Sequence, residues 1–183
     1  MQKWQEAEDL AAQIKPQIQS LPISRTAVYT KVNFVQSLTR IKDNKQDKNW
    51  ENDYSAKLLG LAVQEAQTIE DSRAESYALG YLGELYEKSQ QLSDARKLTE
   101  KALILAQTTN ANDIAYRWQW QLGRLLKKQN LIDEAITAYS ESVNTLDLIR
   151  NDLVANNVDV QFSFRESVEP VYRELVGLLL EDK

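Results

Sequence analysis

The 183-residue sequence contains no cysteine and no histidine. Without cysteine the chain can form neither a disulfide nor a thiolate nucleophile. Without histidine it can build neither a Ser-His-Asp triad nor a histidine-containing zinc site. A glycine-rich phosphate loop is also missing. These absences predict a non-enzymatic chain that needs no metal and no cofactor.

Basic residues and long apolar runs are scarce as well. The 22 lysines and arginines are outnumbered by 27 acidic residues, so the net charge is −5 and nothing points to nucleic acid as a partner. No stretch approaches the roughly 18 consecutive apolar residues that a membrane span needs. The N-terminal residues are charged and lack the apolar core of a signal peptide. The compartment stays open, with the cytoplasm favoured.

Only five glycines and three prolines are present, which leaves few positions for tight turns between strands. Apolar residues recur instead at steps of three and four, as in Leu79, Leu82 and Tyr86, and no stretch alternates with period two. The sequence therefore predicts an all-α fold. Its length and its 43% hydrophobic content suit one domain with a continuous core.

Residues 72–146 consist of two consecutive copies of one repeating unit. Residues 81–85 align without gaps on 121–125, and residues 92–95 align in the same register on 132–135. A fixed period of 40 residues is typical of a solenoid, in which each unit buries its apolar face against its neighbours.

The spacing of small and large residues within each unit resembles the tetratricopeptide repeat (TPR). Gly83 is followed by Tyr86 three residues later, by Ala95 twelve residues later and by Ala102 a further seven residues on. The second unit keeps the corresponding positions Gly123, Ala135 and the aromatic Tyr139, but has Leu126 and Ser142 where the first has Tyr86 and Ala102. The usual TPR has about 34 residues. Because the period here is 40 residues, the chain resembles the variety of TPR that has longer helices. The resemblance implies a right-handed α-solenoid of helix pairs with a C-terminal capping helix.

Residues 152–175 carry a second resemblance. This run is similar to the segment that closes the repeat array in large cyanobacterial-type proteins with a caspase-like CHAT domain. The similarity implies that the chain is the excised repeat part of such a protein, with the protease-like part outside it.

We expect a single domain over residues 1–183 with five parts. They are a partial unit at 1–20, a divergent unit at 24–70 with a loop at 43–53, repeats at 72–110 and 111–155, and a capping helix at 163–181.

Several local signals set these expected boundaries. Pro16 should bend or end the first helix, and Ser24 is the natural cap of the second. Capping-box spacing at 72–75 and at 163–166 predicts two helix starts. Pro170 leaves two options open, a turn followed by a helix or a kinked first turn. The polar run at 43–53 is either a solvated loop or an interaction loop anchored by Trp50.

The TPR resemblance implies a concave groove lined by the first helix of each unit. The positions that correspond to ligand-facing ones are Gly80, Glu84 and Glu87, then Trp120, Arg124 and Lys127, and, in a weaker alignment, Asn33, Ser37 and Arg40. A cationic patch around an aromatic ring is predicted where Arg117 and Lys128 join the group of Trp120, Arg124 and Lys127. Such a patch suits a peptide carboxylate or an acidic side chain. The alternative is a helix face that is merely solvated.

Trp118 and Trp120 are two residues apart on a helix and therefore cannot point the same way. We expect Trp118 in the core and Trp120 towards the groove. Paired carboxylates at Asp133/Glu134 and Glu65/Glu70 are expected at caps and polar faces, without a catalytic role.

The sequence as a whole predicts a protein–protein interaction module that binds a peptide or protein segment in its groove. In the CHAT context it would be the recognition or regulatory part of a larger protein. The alternative is a structural spacer or self-association array without a specific peptide.

Overall fold

The computed structural model describes residues 2–45, 52–154 and 158–181, and within these ranges the chain forms eight α-helices and no strand. The helices are α1 Gln2–Gln19, α2 Arg25–Lys45, α3 Asn52–Thr68, α4 Ser72–Lys88, α5 Leu92–Thr108, α6 Asn112–Lys128, α7 Ile132–Val154 and α8 Val158–Glu181. Each packs on its neighbour in the chain in a sequential, solenoid-like array. The predicted all-α solenoid architecture is confirmed.

Helices α2, α4 and α6 form the inner side of this array. Helix α4 packs against α2 and against α6 as well as against its neighbours in the chain. The odd-numbered helices of the described part make no comparable contact with each other. A curved stack brings helices together on its concave side, so α2, α4 and α6 line that side. The buried core runs on from α1 to α8 through successive clusters.

The helices of the array end in the same way every 20 residues. Glu70, Gln90, Asn110 and Asn130 have positive φ angles between 52° and 62°. At each of them the backbone closes a Schellman motif: the Gln90 amide donates to the Glu87 carbonyl, and the next amide donates to the carbonyl of Tyr86. The 40-residue sequence repeat is therefore built from two structural steps of 20 residues.

Small residues lie where the helices cross. A Cβ atom on Gly83 would stand 2.8 Å from Thr99 Oγ1 and 2.9 Å from Gln121 Nε2, and one on Gly123 would stand 2.7 Å from the Tyr139 ring. The other predicted packing positions also face inward: Ala95, Ala102, Ala135 and Tyr139 are buried and Tyr86 is half-buried. The missing side chains of Gly83 and Gly123 therefore make room for Thr99, Gln121 and Tyr139 of the neighbouring helices.

Neither expected capping box caps a helix, although α4 does begin at residue 72. The cap of α4 is Asp71, whose carboxylate accepts from the Ala74 amide at 3.0 Å, while Ser72 is already helical. Helix α8 begins at Val158, so the expected capping box at 163–166 lies inside it. Ser and Glu three residues apart also share one face of any helix, so the pattern does not distinguish a start from an interior.

Other boundaries differ less. Ser24 caps α2 as predicted, because its hydroxyl accepts from the Ala27 amide at 3.1 Å. Pro16 lies in the last turn of α1, and Pro170 lies inside α8 without ending it. Helix α2 extends to Lys45 and α3 starts at Asn52, so the expected loop at 43–53 is partly helical. Trp50 lies outside the described residues.

Enlarging the crossing-point glycines should destabilise the array. Gly83→Leu and Gly123→Leu should each lower the free energy of unfolding by about 1–3 kcal/mol through overpacking. Gly60→Leu is the matched control, because no atom lies within 4 Å of the Cβ that Gly60 would gain. Urea denaturation checks this; equal stability of all three variants would contradict the assigned crossings.

The turn residues provide a second test. Glu70→Gly and Gln90→Gly should stabilise the fold by about 0.5–1 kcal/mol, because glycine adopts a positive φ without the penalty that other residues incur. Asn110→Gly and Asn130→Gly should change it less, since asparagine tolerates this conformation. The thermal unfolding midpoints of the four variants should rise more for the Glu70 and Gln90 variants than for the Asn110 and Asn130 variants. A loss of stability in the Glu70 and Gln90 variants would contradict the prediction.

Candidate functional site

Two cavities open on the concave side and merge into one groove. A cavity of about 390 Å³ lies between α4 and α6, and one of about 230 Å³ lies between α2, α4 and α6. Both are lined by Tyr81, Glu84, Lys88 and Arg117, so they are continuous. We call their shared surface the inner groove.

Aromatic rings form a ladder across α2, α4 and α6 beside the groove. Ring centroids are 4.9 Å apart from Tyr29 to Tyr77 and from Tyr77 to Tyr81, and 5.3 Å apart from Tyr81 to Trp118. Trp118 is buried, and its indole N–H donates to Ser76 Oγ at 3.1 Å. Edge and tilted contacts of this kind hold the rings in fixed positions. The ladder makes this wall of the groove rigid.

The guanidinium of Arg117 contacts Tyr81, one of the two central rings of the ladder. Arg117 Nη1 donates to the Tyr81 hydroxyl at 3.1 Å, and its guanidinium lies 5.5 Å from the centroid of the Tyr116 ring. Burial raises the pKa of the Tyr81 phenol well above its ordinary value. Tyr81 therefore stays neutral at physiological pH and accepts from Arg117.

A cluster of three charges links α4 to α6 on the groove wall. The Glu87 carboxylate, almost fully buried, accepts from Arg124 at 3.0 and 3.3 Å and from Lys128 at 2.9 Å. Burial alone would raise the pKa of Glu87, but Arg124 and Lys128 outweigh it and hold that pKa below its ordinary value. The Arg124 guanidinium also lies 4.7 Å above the Trp120 ring. Much of the expected cationic patch is thus compensated internally by Glu87.

The inner groove nevertheless carries more positive than negative charge. Its walls include five basic side chains, from Arg40, Lys88, Arg117, Arg124 and Lys128, and two acidic ones, from Glu84 and Glu87. The chain as a whole has the opposite balance, 22 basic residues against 27 acidic ones. Basic residues are therefore concentrated in the groove.

A third cavity adjoins the groove at its C-terminal end. It encloses about 580 Å³ between α6, α7 and α8, and we call it the α8 pocket. Its lining consists of Arg124, Lys127, Lys128, Tyr139, Arg173, Glu174 and Gly177. Glu174 joins the three helices, since its Oε2 accepts from the Trp120 indole and from the Tyr139 hydroxyl, both at 2.8 Å.

The sequence-predicted site residues fall into three groups. Glu84, Arg117, Trp120, Arg124 and Lys128 line the inner groove, as does Glu87. Lys127 is exposed and lines the α8 pocket instead. Asn33 lines neither; its side chain accepts from Tyr77 at 3.0 Å and from Gln36 at 3.2 Å.

Gly80 does not line the inner groove, whereas Trp120 does. Gly80, expected to face a ligand, is buried against the Trp118 ring, which leaves no room for a Cβ atom. Trp120 lines the groove but is only partly exposed, because its N–H is bonded to Glu174 of α8. Sequence reasoning missed Tyr81 and Lys88. The pair Tyr77 and Tyr81, four apart on one helix face, was the available signal for the aromatic wall.

The two carboxylate pairs lie in different surroundings. Glu65 is buried, contrary to the expected polar face, and accepts from Lys31 at 2.8 Å. Asp133 and Glu134 are exposed in the first turn of α7. Within the described ranges no group of three acidic side chains is placed to hold a metal ion, and no helix there is long and apolar enough for a membrane span.

The chain is a helical-repeat protein. Its backbone is similar to that in the crystal structure of BtubC (BKLC) from P. vanneervenii, with a TM-score of 0.59 and 17% sequence identity. The similarity covers 93% of this chain and 62% of BtubC, so the chain spans less than two thirds of that protein. At this identity the likeness shows the fold alone. No protein-family model and no curated protein matches the sequence.

Neutralising Glu87 tests the charge cluster. Glu87→Gln should lower the free energy of unfolding at neutral pH by about 1.5–3 kcal/mol, the range for a buried hydrogen bond to a charged group. The pKa of Glu87 is lowered in the folded state, so its contribution is present above the ordinary value of 4.5 and is lost as the pH falls through the lowered pKa. The difference from the wild type should therefore shrink in acid.

Urea denaturation at neutral and acidic pH measures this difference. The control is Glu84→Gln, because Glu84 lies 3.8 Å from Lys88 on a half-exposed surface and should contribute less than about 0.5 kcal/mol. An effect of Glu87→Gln that grows in acid would contradict the assigned cluster.

Proposed function

We propose that this chain is a non-enzymatic protein-interaction module whose inner groove binds an acidic segment of a partner protein. The observation that carries the proposal is the reversal of charge: a chain with net charge −5 concentrates five basic side chains and two acidic ones in one groove. Basic side chains lining a concave surface attract and orient carboxylates.

The groove offers two kinds of contact to such a segment. Arginine and lysine side chains make charge-assisted hydrogen bonds to carboxylates, and arginine can bind one with two parallel bonds. The ring of Tyr81 and the partly exposed ring of Trp120 provide apolar surface for the rest of the segment. An extended peptide that presents acidic and apolar side chains would use both.

The basic residues have different roles in this proposal. Arg124 and Lys128 bind the nearly buried Glu87, so their first role is to fix the distance between α4 and α6. Arg117 is exposed and lies where both cavities meet, and its side chain donates to the neutral phenol of Tyr81. Arg117, rather than the Arg124 and Lys127 pair, is thus the principal recognition residue.

The proposal extends to family and context. We propose that the helix pairs are of the TPR kind, because Gly83, Tyr86, Ala95 and Ala102 follow that repeat's spacing. The similarity of residues 152–175 to the closing segment of CHAT-domain proteins suggests a regulatory role: a partner bound in the groove would control a protease-like domain elsewhere.

A structural role is the second candidate. Val176, Leu179 and Leu180 of α8 are 44–68% exposed, and exposed apolar residues on a terminal helix favour self-association. In this alternative the array is a spacer or an assembly unit, and the inner groove has no specific peptide.

Charge reversal at Arg117 separates the two candidates. Arg117→Glu should weaken capture of a partner from cell extract by about ten- to a hundredfold. Lys97→Glu is the matched control, because it makes the same charge change on an exposed side chain of α5 away from the groove. Both variants must first be shown to unfold at the wild-type temperature.

The possible results are distinct. A partner that is retained by the Lys97 variant and lost by the Arg117 variant supports groove binding. Equal capture by both variants would contradict it, and no capture by the wild type would favour the structural role.

A further inference from the structure

The α8 pocket has the shape and the wall chemistry of an anchor site. Most of the accessible surface of its walls belongs to apolar atoms, although five of its seven lining residues are charged, and its volume of about 580 Å³ exceeds that of either cavity in the inner groove. Gly177 leaves open space, since no atom lies within 4 Å of the position that its Cβ would take. Leu180, one turn further along α8, is 68% exposed.

The charges around the pocket favour an acidic partner segment. The pocket is lined by four basic residues, Arg124, Lys127, Lys128 and Arg173, and by one acidic residue, Glu174, although Arg124 and Lys128 also bind Glu87 on the groove side. Glu174 is already engaged, because its Oε2 accepts two hydrogen bonds from Trp120 and Tyr139. Glu169 lies 3.7 Å from Arg173, but both side chains are largely exposed, so this pair contributes little.

The pocket and the inner groove belong to one surface. Arg124 and Lys128 line both, and Trp120 stands between them, with its ring on the groove and its N–H bonded to Glu174 of α8. A segment lying in the groove can therefore continue into the pocket without leaving basic surroundings.

We infer that the α8 pocket holds a large apolar side chain of the same acidic partner segment that occupies the inner groove. The inference rests on the proposed function and specifies its ligand: an acidic segment with a leucine- or phenylalanine-sized residue towards the end that meets α8. The acidic residues bind along the groove, and the apolar side chain enters the space above Gly177. Interfaces commonly combine one buried apolar anchor with a polar surround.

Filling the pocket tests the inference. A pool of short peptides randomised at every position is selected on the wild type, on Gly177→Leu, on Gly60→Leu and on Arg117→Glu. Gly177→Leu fills the pocket, whereas Gly60→Leu makes the same change in open space on α3 and serves as the control. Both replace a helical glycine by a better helix former, so both should fold at least as well as the wild type.

The wild type and the Gly60 variant should enrich acidic peptides that carry one large apolar residue. The Gly177 variant should enrich acidic peptides without that preference, and it should bind the best wild-type peptide about ten- to a hundredfold more weakly, the loss expected for an unburied large apolar side chain. The Arg117 variant should lose the acidic preference.

Each of the other possible results would overturn a specific part of the inference or of the proposed function. An apolar preference that survives in the Gly177 variant, or acidic peptides without an apolar residue on the wild type, would overturn the anchor pocket and leave the groove. No acidic preference on the wild type would overturn both. Peptides that resemble residues 5–10, in which three acidic residues precede the exposed Leu10, would show that the occupant is a second copy and would overturn a separate partner.

Discussion

Each helix from α3 to α6 is closed by a turn whose middle residue has a left-handed backbone, and these residues are spaced 20 apart. Helices α4, α5 and α6 accordingly have the same length of 17 residues. Equal helices can cross at equivalent points, and there Gly83, Ala95, Gly123 and Ala135 leave room for the neighbouring helix. The periodic turn is thus the constraint from which the packing follows.

The groove is a consequence of that packing. Because alternate helices face the same side, α2, α4 and α6 present one continuous inner face, and residues about 40 apart become neighbours. Glu87 reaches Arg124 and Lys128 in this way, and Tyr81 reaches Trp118 and Arg117. The charge cluster and the aromatic ladder stiffen the wall. A stiff wall keeps Arg117 and Tyr81 in place before a ligand arrives, which lowers the entropic cost of binding.

The repeating sequence was sufficient to predict the helical solenoid, because small residues at helical spacing report directly on helix crossings. It did not show the 20-residue step, since first and second helices of a unit share turn geometry but little sequence. Local patterns failed where one residue competes with another: Asp71, not Ser72, caps α4 because its carboxylate also pairs with Arg25. The site was predicted only in part. No local sequence pattern indicates that Glu87 would neutralise Arg124, or that a tryptophan would cover Gly80, because these residues are about 40 positions apart.

The central claim is that partners bind to the inner face of the array. Site-specific photo-crosslinking measures this directly, with a benzoylphenylalanine placed at Tyr81 in the groove or at Ile104, which is 61% exposed on α5. We expect a crosslinked partner from position 81 and none from position 104. A partner crosslinked from Ile104 alone would place recognition on the outer face and contradict the claim.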